Sequence, residues 1–379
     1  MQLSVADLKS QMEAIPNDLN QASASRKISL RRLNEFVASC REAGKALPDS
    51  ARYLGGLTSI DYVVAVPEEN DVYLVGSAEP WTIAKSGEVV GAKSGKPIFQ
   101  LEDLLVAMRV TSAEKSELIS CSIDPTPEAL KRLAARDNIA DVDANIAAMG
   151  EMIVNFTGAP AESRLANVLV AADYRMKRLS LGFDEAAIKN FASYFSMVKR
   201  GSGASGQRFW MEPKYDALYR DSESLVWKVS DSSVDVLTES EYVSANGARK
   251  ANERKDPAAQ RWASNMTRRY DELAKAEPVF ADAKNCMDVA LVAALIYREN
   301  LLQKAGCSID ELSRVETSEY VAPVAVQSDS LVRASNRSVA SVTGGVLIDP
   351  WKTLENNVKV DEKLDGFAVA FNGSNWYAD

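Results

Sequence analysis

No histidine occurs anywhere in the 379 residues, and that absence removes whole mechanisms. A Ser-His-Asp triad, a Cys-His dyad and a His-ligated zinc site all need an imidazole. Catalysis would have to rest on carboxylates, Lys, Tyr, Cys or a hard cation held by carboxylates. Cysteine is scarce: Cys40, Cys121, Cys286 and Cys307 are widely spread. None forms a C-x-x-C pair, which excludes a zinc knuckle and a thioredoxin-like motif. The even count fits two disulfides or four buried thiols equally well. Long apolar runs are also lacking. The longest, Val289 to Tyr297, falls far short of a bilayer span, so no membrane span is expected. Positive charge is in deficit, with 44 Lys and Arg against 53 Asp and Glu and a net charge of −9. That balance argues against a nucleic-acid partner. The basic clusters Arg31-Arg32 and Arg268-Arg269 have acidic neighbours and read as solvated helix faces. The start, Met-Gln-Leu-Ser-Val-Ala-Asp, lacks the basic and apolar regions of a signal peptide. The chain therefore reads as cytoplasmic or as an already processed form.

The length suggests two or three domains. The clearest order lies between Ile60 and Gly91, where four β-rich runs (Ile60–Pro67, Val72–Gly76, Trp81–Ala84 and Glu88–Gly91) are divided by polar turns. This predicts an antiparallel meander. Around it, helices are expected at 4–14, from Ser29 to Gly44, at 101–109, after Asp124-Pro-Thr126-Pro, at 142–156, at 161–179 and at 184–199. A buried strand is expected at 117–123. Gly201-Ser-Gly-Ala-Ser-Gly206 interrupts all periodicity and reads as a linker. Beyond it come strands near 208–211, 216–219, 225–229 and 234–237. Helices opened by Pro257 and Pro278 follow, running to about 276 and 304, and the second is the most apolar in the chain. β-like pieces close the sequence at 321–326, 338–348 and 367–371. The division is thus 1–48, N-terminal helices; 49–200, meander plus helices; 201–206, linker; and 207–379, a second α+β unit. The fold class is α+β, without the strand-helix alternation of a doubly wound sheet.

The candidate motifs are short. Gly201–Gly206 matches G-x-G-x-x-G, but a helix precedes it and an aromatic strand follows, the wrong context for pyrophosphate. Ser112/Lys115 and Ser196/Lys199 match S-x-x-K, and Ser244-Ala-Asn246 echoes S-x-N. Such a pair can act without histidine, yet the K-S-G triplets at Lys85 and Lys93 lie upstream, in the wrong order. Asp173-Tyr174-Arg175-Met-Lys177-Arg178 is denser in chemistry. Asp173 and Lys177 predict a surface i,i+4 ion pair, while Arg175 and Arg178 offer an anion-binding face. Asp288 stands on an apolar face with Lys284 one turn away. It is either a structural lock or a shifted acid in a pocket. Trp210, Trp227, Tyr215 and Tyr219 read as sheet core or as groove-lining residues.

Several segments together carry a family likeness: Arg52-Tyr-Leu-Gly-Gly-Leu, Cys121-Ser-Ile-Asp-Pro-Thr-Pro, Val168-Leu-Val-Ala-Ala-Asp-Tyr-Arg-Met-Lys, Arg208-Phe-Trp, Asn285-Cys-Met-Asp and Thr343-Gly-Gly-Val. On these the chain resembles the planctomycete proteins grouped as domain of unknown function 1598. The resemblance brings no activity, cofactor or metal, but it implies export, since members carry a signal segment. The expectation is a non-catalytic, exported protein that binds a partner or builds part of the cell envelope. The alternative is a histidine-free hydrolase using Asp173, Tyr174, Arg175 and Lys177 with Asp288 or Cys121. A third reading is an anion-binding module using Arg175 and Arg178, with Arg208 and Trp210 as further ligand contacts. No cofactor and no metal are expected in any of these readings.

Overall fold

The computed structural model describes residues 4–111, 118–136, 141–198, 203–230, 232–243, 249–252, 256–316, 321–335 and 338–379. Helices and several sheets coexist in an α+β arrangement. The first sheet runs in the order Val358–Val360, Leu218–Arg220, Val226–Lys228, Tyr62–Val66, Asp71–Ala78, Ser23–Ser29, Tyr377–Ala378. The second runs Arg249–Asn252, Ser232–Val243, Gly203–Tyr215, Ser338–Ile348, Ile119–Pro125, Glu151–Thr157, Ala325–Gln327. Val332–Ser335 is a further partner of Ser338–Ile348. Pairing is antiparallel except between Val358–Val360 and Leu218–Arg220, and between Ser338–Ile348 and Gly203–Tyr215.

Helices fill the space around these sheets. The helix Pro278–Arg298 is the axis of the main core, with Cys286, Met287 and the whole run from Val289 to Ile296 buried. It packs against the helices Leu101–Thr111 and Arg164–Leu181, and the latter lies on the strands Ile119–Pro125 and Ser338–Ile348. Local chemistry sets the helix starts. Ser29, Thr126 and Ser163 each accept a backbone N–H three residues on, and Pro127, Pro257 and Pro278 occupy first turns where no N–H is missed.

The meander is two separate hairpins. Tyr62–Val66 pairs with Asp71–Ala78 across a turn in which Asn70 takes φ 52°, while Trp81–Ile83 and Val89–Gly91 form their own ribbon. The other neighbour of Asp71–Ala78 is Ser23–Ser29, a polar segment with no strand pattern. Its fully buried Arg26 donates to the Gly55 carbonyl and pairs with Asp379.

Five expected elements differ for local reasons. The helix near 142 stops at Met149, because Gly150 turns the chain at φ 65°, and Glu151–Thr157 is a strand. Between 184 and 198 only Tyr194–Met197 is helical; Asp184 is drawn back to Arg175 and Arg178 instead of serving a helix. The two long C-terminal helices break at Arg269 and at Asn300, the latter at φ 55°. Residues 367–371 form no strand; Phe367 and Phe371 lie against the rings of Tyr62 and Tyr73.

The expected linker also changes character. Residues 201–202 lie outside the described residues, and Gly203–Gly206 open a long strand. Both large sheets take strands from before and after this point, so the sheets do not divide there. The reason is pairing: Gly203–Met211 lies in parallel register with Ser338–Val346. Gly344 and Gly345 permit the close approach in that strand. A Cβ on Gly344, at φ 105°, would sit 2.1 Å from the Phe209 carbonyl oxygen. One on Gly345 would sit 1.6 Å from that of Cys121.

Candidate functional site

The cluster that was densest in the sequence is closed to solvent. Asp173 and Lys177 do pair, with Nζ donating to Oδ2 at 2.6 Å, but neither side chain has any exposure. This corrects the expected surface bridge. The helix Arg164–Leu181 turns this face onto the second sheet, so Nζ also donates to the carbonyls of Gly344 at 2.8 Å and Ile123 at 3.4 Å. Burial pushes the Asp173 carboxyl up to about 7, with Lys177 pulling the other way. Cys121 lies in the same closed region; burial, and then the charge of Asp173, push its thiol up. A buried pair whose ammonium also donates to main-chain carbonyls of two strands holds a helix to a sheet. Nothing here offers a substrate a way in.

Arg175 and Arg178 face outward but are already occupied. Arg175 pairs with Glu277 at 2.6 Å and Asp184 at 2.8 Å; Arg178 grips both oxygens of Asp184 at 2.7 and 2.9 Å. The anion these arginines hold is the chain's own, which corrects the reading of an open anion-binding face. Tyr174 lies beside Arg178. Arg208 stacks over Trp210 and sits 3.7 Å from Glu239, while the Trp210 indole donates to Glu212. Tyr219 packs in the first sheet, and Trp227 is buried in the core. Ser112/Lys115, Lys199 and Ser244–Asn246 lie outside the described residues.

A second buried knot ties three helices together. Arg164 bridges Asp103 and Asp282, with Cys286 beside them. Burial, reinforced by Asp282, pushes Asp103 up to about 7 against the pull of Arg164. Ligand atoms of Asp103, Asp282 and Cys286 lie within 4.8 Å of one another. Metal would need that space, but the guanidinium already supplies the positive charge there. All four cysteines are buried free thiols.

Asp288, together with Lys284 and Lys93, lines an open cleft of about 690 Å³. The cleft lies between the loop Thr58–Asp61, the loop Lys93–Pro97, the residues Val229, Ser230 and Ser232, and the helices Tyr270–Ala276 and Pro278–Arg298. At its base Lys284 Nζ donates to Ser232 Oγ at 2.5 Å and pairs with Asp288 Oδ2 at 3.1 Å. The Tyr215 hydroxyl donates to the other Asp288 oxygen at 2.6 Å. Burial, then the Asp288 charge, push the Tyr215 hydroxyl well up. The geometry has simple origins. Lys284 and Asp288 are one turn apart on a helix, and Tyr215 and Ser232 are direct cross-strand partners at the end of a hairpin. The Lys93–Pro97 loop is braced from behind, where Glu79 accepts the N–H groups of Lys93 and Ser94 and Asn285 donates to the Pro97 carbonyl.

Sequence reasoning paired Asp288 with Lys284 through their spacing. It missed Ser232, which sits in a turn-like Asp-Ser-Ser triplet, and the Lys93 loop, whose K-S-G triplet is set aside because it lies upstream of the S-x-x-K matches. No local signal marks either as part of a cleft.

Fold and sites together define an α+β protein whose charged interior ties helices to sheets and whose open polar cleft lies at a helix–hairpin junction. Residues 121–194 match the family model described as Protein of unknown function (DUF1598), so the chain resembles that family over this stretch. The matched stretch carries the buried Asp173–Lys177 pair and both outer arginines, but none of the cleft-lining residues at 58–61, 93–97 or 284–288. No curated protein and no solved structure matches the chain.

Proposed function

We propose that the chain is a non-catalytic binding protein and that its ligand enters the Ser232–Lys284–Asp288 cleft. One observation carries the reading: among the described residues, the serine–lysine contact in the cleft, Ser232 with Lys284, is one in which the amine is ion-paired with Asp288. A serine nucleophile needs a lysine with a lone pair to take its proton. An ammonium paired with a carboxylate has none to give, and acts as a hydrogen-bond donor. The same group, fixed at the base of a concave site with a few converging polar side chains, is suited to hold an oxygen of a ligand. The hydrolase alternative also loses Asp173, Lys177 and Cys121, which are sealed in the core.

The test uses the intact protein with a fluorophosphonate probe and with p-nitrophenyl acetate and phosphate. We expect no adduct on Ser232 and no turnover above buffer. An adduct or turnover that disappears in Ser232→Ala would overturn the non-catalytic reading. The exported setting, with a partner or envelope component as ligand, is supported by the family resemblance. Fractionation of native cells that leaves the protein in the soluble cytosol would sink it.

A further inference from the structure

We infer that the cleft takes a polyhydroxylated organic anion, a sugar acid or sugar phosphate, with its charged group at Lys284 and Ser232. The inference rests on the cleft being the ligand site, and charge is what carries it. Lys93, Lys96, Lys275 and Lys284 line the cleft against Asp61, Asp271 and Asp288. Among the described residues only Lys284 of these four lysines is in an ion pair, and its partner is also held by Tyr215. Lys93, Lys96 and Lys275 are exposed around the opening. A chain with a net charge of −9 thus gathers four lysines against three aspartates about this cleft, a local excess of positive charge opposite in sign to the whole. A neutral ligand gains little from that arrangement. An anion gains charge-assisted hydrogen bonds and a locally attractive field.

The remaining lining narrows the class. Hydroxyl side chains of Thr58, Ser59, Ser94 and Ser232 border the cleft; Thr58 and Ser59 donate to the Ser77 carbonyl and to Asp61, so toward ligand hydroxyls these two offer acceptor lone pairs. Pro97, Phe99 and Val229 supply apolar surface on which the C–H face of a sugar ring can pack. The volume suits one or two sugar units.

Isothermal titration calorimetry on the full chain tests this with D-glucuronate, D-glucose 6-phosphate, D-glucose and inorganic phosphate, at low and high salt. We expect binding of at least one sugar anion, weakening as salt rises. The two anions report whether the cleft prefers carboxylate or phosphate. Lys284→Met should weaken the bound anion roughly ten- to a hundredfold. A Lys93→Ala/Lys96→Ala double variant changes only exposed side chains, so it keeps the test valid if Lys284→Met unfolds; it should weaken the anion several-fold. Glucose binding as tightly as the anions, inorganic phosphate binding as tightly as the sugar phosphate, or unchanged binding in both variants each overturns the ligand class. Heat from none of the four overturns it too. If glucose alone binds and Ser232→Trp abolishes it, the cleft remains the ligand site and only the anion class falls.

Discussion

Replacing Lys177 by methionine keeps the length of the side chain and removes its charge and its donors. Three acceptors then lose a partner at once: the Asp173 carboxylate and the carbonyls of Gly344 and Ile123. Asp173 has no exposure, so it must either hold an unpaired charge in the core or take up a proton. Breaking one side of a buried pair costs roughly 3–5 kcal/mol. Changing both partners, Asp173→Leu with Lys177→Met, removes the charge problem and leaves only lost carbonyl bonds, about 1 kcal/mol each. The double variant should therefore be more stable than Lys177→Met, with a favourable coupling of about 2 kcal/mol or more in the double-mutant cycle. Urea unfolding near pH 7.5, comparing midpoints at similar slopes, measures this. Lys177→Met should also regain stability as pH falls and Asp173 protonates more readily. A loss below about 1 kcal/mol in Lys177→Met, or a double variant no better than the worse single, would refute the picture of a sealed pair.

Two further outcomes follow from the same structure. Asp103 and Asp173 titrate at about 7 in the folded chain, against 3.8 for the unperturbed group. Between those values the folded state holds protons that the unfolded state has released. Their contribution is full below 3.8 and is lost as pH rises through 7, so urea midpoints should rise by the equivalent of a few kcal/mol from pH 8 to pH 5; a flat or opposite trend contradicts this. Gly344→Ala places a methyl against the Phe209 carbonyl at φ 105° and should cost about 3 kcal/mol or more. Gly87→Ala, at φ 103° in open space, should cost only about 1–2 kcal/mol. Equal losses by thermal unfolding would show that backbone conformation, not the close approach, decides.

What the sequence made legible was mostly local. Ser29 and Thr126 as caps and Pro278 as a helix opening are decided within a few residues. The hairpin from Tyr62 to Ala78 is read from its alternation and turn. Ser23–Ser29 escaped because its inward-facing residue is an arginine, whose neutralising partner stands at the far end of the chain. The Asp173–Lys177 spacing was readable, but its burial depends on Gly344 and Ile123, contributed by strands distant in sequence. Likewise Lys284 and Asp288 announce each other, whereas Ser232 and Tyr215 reach them only through a hairpin laid across the helix.

The interleaving of early and late strands sets the order in which this protein can be completed on the ribosome. Ile119–Pro125 emerges long before Ser338–Ile348, the strand that joins it to Gly203–Tyr215. Tyr62–Val66 likewise waits for Val226–Lys228. Until the late strands arrive, each early hairpin has an open edge able to pair with another nascent chain. Residues are added at roughly 5–20 per second, so an early edge waits on the order of ten seconds or more for its late partner. Cutting the chain within the 201–206 segment would yield two fragments, each holding half-built sheets, that recover structure only on recombining with one another.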